Sequence, residues 1–440
     1  MESTNYKSRR IATISKLKDG IAILPAATHM TRSNDTEFDF RQNSNFKYLT
    51  GSSEPDSILV LTPHGIKKDH LFVRPNDRMQ EIWAGRRLGV EKSKDIFEMD
   101  ETYSLEDFDK VLPELMKGHS EIFIDLHNND TLFNKVRKMA NGLDPRNRLK
   151  VPTPKAYRHL NTIIEKQRLI KDQNEILNMK NAAAATNKAH RAAMAMASTD
   201  HTEADIHNTM NYLFKKHGAS GEAYGSIVAC GENGTILHYV ENNAKLIDGE
   251  TLLIDAGSEF NTYASDVTRT FPVNGKFSKT QREIYEIVLR AMKASFSKCS
   301  PGHTLEEVHM ESVKELSKGL KELGILKESV EEIIEKNLYK EFYPHGTSHW
   351  IGLDVHDQNP YLDKDFNAIK FEKGMCFTVE PGLYFQRDNL DIPEHFRGLA
   401  VRIEDDILIT ENSHENLTAM IPKEIKEVEA ACLEDYKQFL

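Results

Sequence analysis

The chain has 440 residues, more than a single hydrophobic core usually supports, so we expect two domains. Apolar residues make up 39% and charged residues 28%, which is typical of a globular protein, and the formal net charge of -11 argues against a nucleic-acid-binding surface. The apolar runs are too short to cross a bilayer, no secretory signal follows the first basic residues, and the 4 cysteines form no CxxC pair, so we expect a cytoplasmic protein without a membrane or zinc-thiolate function.

Short apolar runs between turn residues characterise the first part of the chain. Runs of this length predict buried strands, at 20–24, 57–61, 71–73 and 121–125. Two longer stretches have helical periodicity, one before the last of these runs, at 105–115, and one after it, at 131–139. Strands alternating with helices predict an α/β N-terminal domain.

The composition changes after the prolines at 152 and 154. A stretch rich in Ala, Lys and Glu then continues to about Ser198, and these residues favour a long helix. We therefore place the domain boundary here, with an N-terminal domain over 1–165 and a C-terminal domain over 166–440.

Three segments of the C-terminal part have the sequence of a capping box, which starts a helix. They are Thr202-Glu-Ala-Asp205, Ser278-Lys-Thr-Gln281 and Thr304-Leu-Glu-Glu307. Apolar runs predict strands at 250–256, 265–273, 375–380 and 400–409. Helices combined with largely antiparallel strands predict an α+β domain.

Four carboxylates lie inside these predicted strands, where water-exposed charge is not expected. They are Asp255, Asp266, Glu380 and Glu404. A hairpin would place Asp255 and Asp266 side by side on facing strands. One such acid taken alone is usually a strand-end carboxylate paired with Lys or Arg. Four together repel one another unless cations compensate them, and with His349 they form a donor set for divalent ions such as Mn²⁺, Fe²⁺, Co²⁺ or Zn²⁺ rather than Ca²⁺.

His349 belongs to a histidine-rich segment, His345-Gly-Thr-Ser-His349-Trp-Ile-Gly-Leu-Asp-Val-His356. Imidazole is the commonest metal ligand and the usual proton carrier at neutral pH. Three histidines so close together indicate either metal ligands and proton carriers or a chance cluster on a polar loop, and the rest of the chain decides between these interpretations.

Motifs along nearly the whole chain resemble those of the pita-bread metallopeptidase family, and within it the bacterial aminopeptidases P, also called Xaa-Pro aminopeptidases. In the C-terminal part these motifs are Gly231-Glu-Asn-Gly-Thr-Ile-Leu-His238-Tyr, Leu253-Ile-Asp255-Ala-Gly, Tyr263-Ala-Ser-Asp266-Val-Thr-Arg-Thr-Phe-Pro272, the segment from His345 to Asp357, Thr378-Val-Glu380-Pro-Gly-Leu-Tyr384 and Val401-Arg402-Ile-Glu404-Asp-Asp. In the N-terminal part they are Phe40-Arg-Gln-Asn-Ser-Asn-Phe-Lys-Tyr-Leu-Thr-Gly51 and Glu81-Ile-Trp83-Ala-Gly-Arg-Arg-Leu-Gly89, which resemble the family's non-catalytic domain. The chain departs from the family at Gln358-Asn-Pro360, where a Val-Gly step is common.

The resemblance implies a C-terminal pita-bread catalytic domain, of the creatinase/aminopeptidase type, that holds two divalent metal ions. The implied ligands are Asp255, Asp266, His349, Glu380 and Glu404, with Asp266 and Glu404 bridging the two ions. We expect Mn²⁺ first, with Zn²⁺, Co²⁺ or Fe²⁺ as alternatives. The implied substrates are peptides with proline at position two, and the implied assembly is a homo-oligomer, a dimer or tetramer.

The implied reaction is hydrolysis of the N-terminal Xaa-Pro bond by a hydroxide that bridges the two metals. We expect His356 and His238 to contact substrate and stabilise the developing oxyanion. Glu380 is expected to carry a proton to the leaving proline nitrogen, which bears no hydrogen in a peptide.

Four further residues have expected roles near substrate. His345 would bind substrate across the proline subsite, and Arg402 would hold a neighbouring carboxylate by a bidentate pair, although a hydrogen-bonded core position would also account for either residue. Tyr384 would cover the site, and Trp83 would reach it from a neighbouring subunit.

Three alternatives remain open at this point. A prolidase that cuts only dipeptides or a methionine aminopeptidase would use the same ligands, although the segment around Trp83 favours an aminopeptidase P and the large N-terminal domain disfavours a minimal methionine enzyme. A metal-free relative, either a creatinase-like enzyme or a non-catalytic pita-bread binding protein, is expected to have lost ligands, whereas all five are present here.

Overall fold

A computed structural model describes residues 6–127, 129–144, 146 and 148–440. The chain divides into two compact units, Met1–Gln167 and Arg168–Leu440. The predicted boundary between 165 and 166 lies inside a short helix that ends at Arg168.

The first unit contains one six-stranded sheet, a small two-stranded ribbon and surrounding helices. Its strands are β1 (Gly20–Pro25), β2 (Thr31–Ser33), β3 (Thr36–Glu37), β4 (Ile58–Leu61), β5 (Asp69–Val73), β6 (Glu101–Ser104), β7 (Glu121–Ile124) and β8 (Ala156–His159). Its helices are α1 (Tyr6–Ile14), α2 (Ser44–Thr50), α3 (Arg78–Ala84), α4 (Gly89–Ile96), α5 (Phe108–Met116), α6 (Asp130–Leu143) and α7 (Asn161–Arg168). The four predicted strands and two predicted helices are all present.

The six-stranded sheet has the order β6-β5-β4-β1-β7-β8. Its pairs β1/β4 and β4/β5 are antiparallel, and the remaining pairs are parallel. Apolar residues of its central strands pack against α5 and α6, where Phe108, Leu112 and Val136 are almost fully buried. This mixed sheet covered by helices confirms the predicted α/β class.

The second unit contains several short sheets and six helices. Its strands are β9 (Gly221–Glu222), β10 (Ile227–Cys230), β11 (Thr251–Asp255), β12 (Ser258–Phe260), β13 (Tyr263–Ala264), β14 (Thr268–Pro272), β15 (Cys376–Val379), β16 (Gly382–Tyr384), β17 (Ala400–Arg402), β18 (Asp405–Ile409) and β19 (His414–Asn416). Its helices are α8 (Gln173–Ala195), α9 (Glu203–Lys216), α10 (Lys279–Phe296), α11 (Leu305–Glu322), α12 (Val330–Glu335) and α13 (Ile425–Ala431). All three predicted capping boxes form, at the starts of α9, α10 and α11.

The sheets of this unit are antiparallel, with the orders β10-β11-β14, β13-β12-β9, β15-β18-β19 and β16-β17. The single strand predicted over 400–409 is wrong, because β17 and β18 belong to different sheets. The chain changes sheets at Ile403 and Glu404, where the Glu404 amide donates to the carbonyl of Thr268, 3.0 Å away. Among the helices of the described residues, none combines the length and apolar character needed to span a bilayer.

Candidate metal centre

Asp255 and Asp266 meet beside the β11/β14 pair, although not in the predicted register. Asp255 ends β11 and lies opposite Thr268 of β14, because the hairpin β12/β13 is inserted between the two aspartates. The direct side-by-side pairing of Asp255 with Asp266 is therefore wrong. The Tyr224 hydroxyl joins them instead, 2.6 Å from Asp255 Oδ1 and 2.5 Å from Asp266 Oδ1.

Gly257 allows the chain to fold back closely between these two aspartates. A Cβ atom at this position would lie 1.7 Å from the carbonyl oxygen of Ser265. Any side chain would force the two segments apart, so glycine is required for this close approach of the backbone.

Glu380 and Glu404 extend toward the two aspartates from the sheets that contain β15, β17 and β18. Glu380 follows β15 directly, and its amide donates to the carbonyl of Thr347, 2.8 Å away. Glu404 lies at the break between β17 and β18, and its Oε2 accepts a 2.7 Å hydrogen bond from the Thr268 hydroxyl. The break corrected above therefore positions one of the predicted ligands.

His349 presents one ring nitrogen to these acids. Its Nδ1 lies 3.1 Å from the carbonyl of Trp350, which can only accept, so Nδ1 carries the hydrogen. Its Nε2 lies 3.3 Å from Asp266 Oδ2 and 3.5 Å from Glu380 Oε1. Ligand atoms of Asp266, His349 and Glu404 all lie within 4.8 Å of one another.

Burial and neighbouring charges shift the pKa values of the acids and the histidine in this cluster. Burial raises the pKa of Glu380 to about 8, with His349 opposing the shift. Burial, and then the neighbouring Asp266, raise the pKa of Glu404 well above its ordinary value. Burial disfavours the charged form of His349, but the hydrogen bond to Asp266 and the charge of Glu380 outweigh it and raise the His349 pKa to about 9.

This donor set fits a divalent metal. A neutral His349 directs the lone pair of Nε2 at the carboxylates, and that arrangement is repulsive unless a proton or a metal ion lies between them. Four carboxylates at or close to strand ends and one imidazole supply the oxygen and nitrogen ligands that such ions prefer. The ligand atoms of Asp266, His349 and Glu404 lie close enough together to hold a divalent metal ion.

Arg402 connects the acids to a second set of polar groups. Its NH2 donates to Asp255 Oδ2 at 2.7 Å, its NH1 to the Tyr384 hydroxyl at 2.9 Å and its Nε to the Thr268 hydroxyl at 3.0 Å. The guanidinium is thus shared among three partners and does not form the predicted bidentate pair. Tyr384 also lies 2.8 Å from His345 Nε2, so its hydroxyl donates to that nitrogen.

His345 is held as a neutral base. Its Nδ1 faces the carbonyl of Gly346 at 2.8 Å, so this nitrogen carries the hydrogen. Burial, followed by the charge of Arg402, lowers the pKa of His345 to about 3. Its ring packs edge-on against Tyr343 with 4.8 Å between ring centroids.

These groups line one cavity of about 470 Å³, and the predicted ligands, His238, His345, His356 and Arg402 all lie on its wall. Leu237 and Val240 contribute apolar surface next to His238. The rings of His349 and His356 are 4.4 Å apart, and burial, then the charge of His349, lower the pKa of His356. The predicted residue Tyr384 is buried behind the wall, since it contacts His345 and Arg402.

The segment 353–359, which we call the His356 loop, is fixed by a buried ion pair. Asp357 contacts Arg168 and lies 3.1 Å from Lys171, and all three side chains are at least 98% buried. Asn359, part of the departure from the family pattern, donates to Asp357 Oδ2 at 2.6 Å. Burial would raise the pKa of Asp357, but Arg168 and Lys171 hold it at about 2.

Two residues that contact these groups were absent from the sequence prediction. Tyr224 contacts two predicted ligands, and Thr268 donates to a third. Neither residue type is diagnostic of a metal site, although Thr268 lies within the quoted motif that contains Asp266. Trp83 lies in the first unit, on α3, with 84% of its surface exposed.

Two family models match the chain. Residues 177–411 match metallopeptidase family M24, and residues 6–123 match the N-terminal domain of aminopeptidase P. The matches cover parts of both compact units, including all five predicted ligands.

Curated relatives and solved structures agree with these matches. The chain is 40% identical to the Xaa-Pro aminopeptidase of Escherichia coli over 98% of both chains, and 40% identical to that of Haemophilus influenzae over 96% of both. A structure of an aminopeptidase from Pseudomonas aeruginosa superposes with a TM-score of 0.96 at 38% identity, covering 100% of this chain and 99% of that one. A zinc-substituted aminopeptidase P of Escherichia coli with bound product has a TM-score of 0.92 at 38% identity, covering 97% of both.

Proposed function

Because this chain belongs to metallopeptidase family M24 and has the two-part fold of an aminopeptidase P, we propose that it cleaves the N-terminal Xaa-Pro bond of peptides and releases the first residue. It is a metal-dependent exopeptidase of the hydrolase class, with a pita-bread C-terminal domain as predicted. The observation that carries the proposal is the convergence of Asp266, His349 and Glu404 within 4.8 Å, on the wall of a cavity large enough for a short peptide.

We propose that Asp255, Asp266, His349, Glu380 and Glu404 hold two divalent ions. Such ions, when bound, lower the pKa of a shared water and polarise the scissile carbonyl. The ordinary affinity order ranks Mn²⁺ below the other candidate ions, but ligand type and cellular availability rather than affinity select the ion in a cell. We propose Mn²⁺, with Zn²⁺, Co²⁺ and Fe²⁺ as alternatives.

The surrounding residues have separate tasks in this reaction. His356 and His238 donate hydrogen bonds to the substrate carbonyl as negative charge develops on its oxygen. Glu380 carries a proton to the proline nitrogen, which needs one to leave because the peptide form has no hydrogen. His345 faces the substrate as a neutral imidazole, held by the hydroxyl of Tyr384.

We propose the remaining properties on the strength of the family resemblance and the composition. The natural substrates are peptides with proline at the second position, the first unit is the non-catalytic domain, and the enzyme acts in the cytoplasm as a homo-oligomer. Trp83 then lies on an exposed surface that a second subunit can use.

The test compares two peptides, Xaa-Pro-Yaa and Xaa-Ala-Yaa, with Mn²⁺ added and with a chelator present. We expect release of the first residue from the proline peptide only, and only with metal. Equal cleavage of both peptides would remove the proline assignment and leave a dinuclear hydrolase.

A dipeptidase with the same ligands is the second candidate, and the Xaa-Pro dipeptide distinguishes it. Cleavage of the dipeptide without cleavage of Xaa-Pro-Yaa would establish a prolidase. Failure to cleave any of these peptides, with bound metal confirmed by elemental analysis, would contradict the proposed activity.

A further inference from the structure

The segment 231–244, which we call the His238 loop, leaves β10 and leads toward β11 along one side of the cavity. It begins as a turn of 3-10 helix, Gly231–Thr235, and then continues without regular structure. Leu237, His238 and Val240 line the cavity from this irregular part. A segment without its own backbone ladder needs other bonds to hold these side chains in place.

One buried carboxylate outside the loop supplies such bonds. Glu203, the first residue of α9, is fully buried. Its Oε1 accepts from the amide of Cys230 at 2.8 Å and from Asn233 Nδ2 at 3.0 Å. Its Oε2 accepts from the Tyr239 hydroxyl at 2.8 Å and from the amide of Ala244 at 2.8 Å.

These four donors start before the loop and extend to its last residue. Two lie at its entry, one in its middle and one at its exit, so a single side chain contacts both ends and the centre. Four donors occupy the acceptor positions of an ionised carboxylate, which has no hydrogen to donate. The position at the first turn of α9 also favours a negative charge, since the helix dipole is positive there.

Tyr239 transmits this attachment to the neighbouring histidine. Tyr239 is 6% exposed and directs its hydroxyl to Glu203, whereas His238 is exposed on the cavity wall. Consecutive side chains thus lie on opposite sides of the backbone, one bonded to the scaffold and the other facing substrate. Fixing the Tyr239 ring restricts the backbone from which His238 extends.

Other contacts hold the entry and the exit of the loop, and they leave its middle to the Glu203 side chain. At the exit, the backbone amide of Glu203 also donates to the carbonyl of Ala244, 2.9 Å away. Asn242 bonds to β10 through the carbonyl of Ser226 and the amide of Val228. Thr235 exchanges hydrogen bonds with Gln386. Between these points, Tyr239 carries the side-chain bond that joins the loop to a buried acceptor.

We propose that Glu203 is a positioning residue for the reaction, which fixes the His238 loop and thereby aims His238 at the substrate. The kinetic part of this inference rests on the proposed function. The structural part does not, because loop order is measurable without turnover.

The structural test is hydrogen exchange of the loop amides in Glu203→Gln and Tyr239→Phe. In Glu203→Gln an amide NH₂ replaces one carboxylate oxygen, so one backbone amide, that of Cys230 or of Ala244, loses its acceptor and the side-chain partner beside it must reorient. We expect amides between 236 and 244 to exchange about 10-fold faster or more, and a smaller change in Tyr239→Phe, which loses one bond. Unchanged exchange in Glu203→Gln would overturn the inference.

The matched control is Asp205→Asn, another carboxylate in the first turn of α9. Its carboxylate accepts from the amide and hydroxyl of Thr202, and within the part of the chain that the structure describes it makes no hydrogen bond to the loop. The substitution Asp205→Asn weakens the N-terminal cap of α9, so this variant shows how far a weaker helix alone changes exchange in the loop. Equal loop exchange in Asp205→Asn and Glu203→Gln would assign the effect to the helix and contradict the proposal.

The kinetic test is a double-mutant cycle with His238→Ala on the Xaa-Pro-Yaa peptide. We expect Glu203→Gln to lower kcat/KM by about 10-fold in the native background with bound metal unchanged. In the His238→Ala background the same change should alter kcat/KM by less than about 2-fold, because the side chain that Glu203 aims is already absent. Independent, multiplying losses would contradict the positioning role.

The two failures can be told apart. If the native protein cleaves no peptide, the proposed function fails, and the exchange measurement still decides whether Glu203 orders the loop. If the native protein cleaves Xaa-Pro-Yaa and the cycle shows no coupling, the function stands and the inference fails.

Discussion

The two loops that bring His238 and His356 to the cavity are anchored in opposite ways. In the His356 loop the carboxylate, Asp357, belongs to the loop, and two buried cations before α8, Arg168 and Lys171, hold it. In the His238 loop the carboxylate belongs to the scaffold, and the loop itself supplies neutral amide and hydroxyl donors to Glu203. One anchor is a cluster of buried ions, and the other is a single buried carboxylate bonded to four neutral donors.

This difference determines what is lost when the carboxylate of each anchor is neutralised. Removing the charge of Asp357 leaves buried cations facing a neutral group, which is costly because charges in a buried site need compensation. Removing the charge of Glu203 leaves neutral donors unpaired, and each such donor costs less than a buried charge. The His356 loop should therefore lose stability, whereas the His238 loop should mainly lose order.

Both loops flank the proposed metal centre, and His349→Ala tests whether the cavity between them binds metal. We expect turnover of Xaa-Pro-Yaa to fall by about 10³-fold or more, because a ligand is lost while the chain stays folded. Elemental analysis should show reduced bound metal, and circular dichroism should match the native protein. Retained activity would mean that the loops flank a different kind of site.

Asp357→Asn tests the ion cluster. We expect the free energy of unfolding to fall by about 3 kcal/mol, since Lys171 loses its charged partner inside the protein. Denaturant unfolding measures this loss. The control is Asp354→Asn, which removes a partly exposed partner of Arg168 and should cost about 1 kcal/mol or less. Equal losses in the two variants would show that burial of the pair is not what matters.

His356→Ala separates the loop's histidine from its anchor. We expect kcat to fall by about 100-fold while the bound metal and the free energy of unfolding stay unchanged, because we propose that the ring contacts substrate whereas Asp357 holds the loop. Steady-state kinetics with metal analysis measures both quantities. Loss of metal in this variant would place His356 among the ligands instead.

Acid provides the smallest and most selective test. The folded pKa of Asp357, about 2, lies below its ordinary value of 3.8, so its stabilisation is present above pH 4 and is lost as the pH falls through 2. Between pH 5 and pH 3 the stability difference between native protein and Asp357→Asn should narrow by about 1 kcal/mol. A difference that widens with acid would contradict the sign of this shift.

Local sequence patterns located a part of the fold. Apolar runs located β1, β4, β5 and β7 of the first unit but not its shorter or more polar strands, and capping boxes located the starts of α9, α10 and α11. The run 400–409 was misread as one strand because its break depends on a bond from Glu404 to Thr268, far away in the sequence. No local pattern contains that information.

Among the site residues, too, local sequence identified some and missed others. Acids and histidines inside apolar strands are visible as anomalies, and the family motifs assign them roles that the cavity accommodates. Tyr224 was missed because its hydroxyl becomes significant only when partners 31 and 42 positions later fold against it. Glu203 was read as part of a capping box, and its real partners lie across the loop. Sequence identifies unusual residues, whereas ordinary residues acquire roles only through contacts.

The two anchors also differ in the length of chain that each must close during synthesis. Glu203 reaches Ala244 across 41 residues, whereas Arg168 reaches Asp357 across 189. Because chains emerge from the ribosome N-terminus first, every partner of the His238 loop anchor is available long before Asp357 has been made. We expect one wall of the cavity to mature on the nascent chain and the other only near the end of translation, so truncated products would carry half an active site.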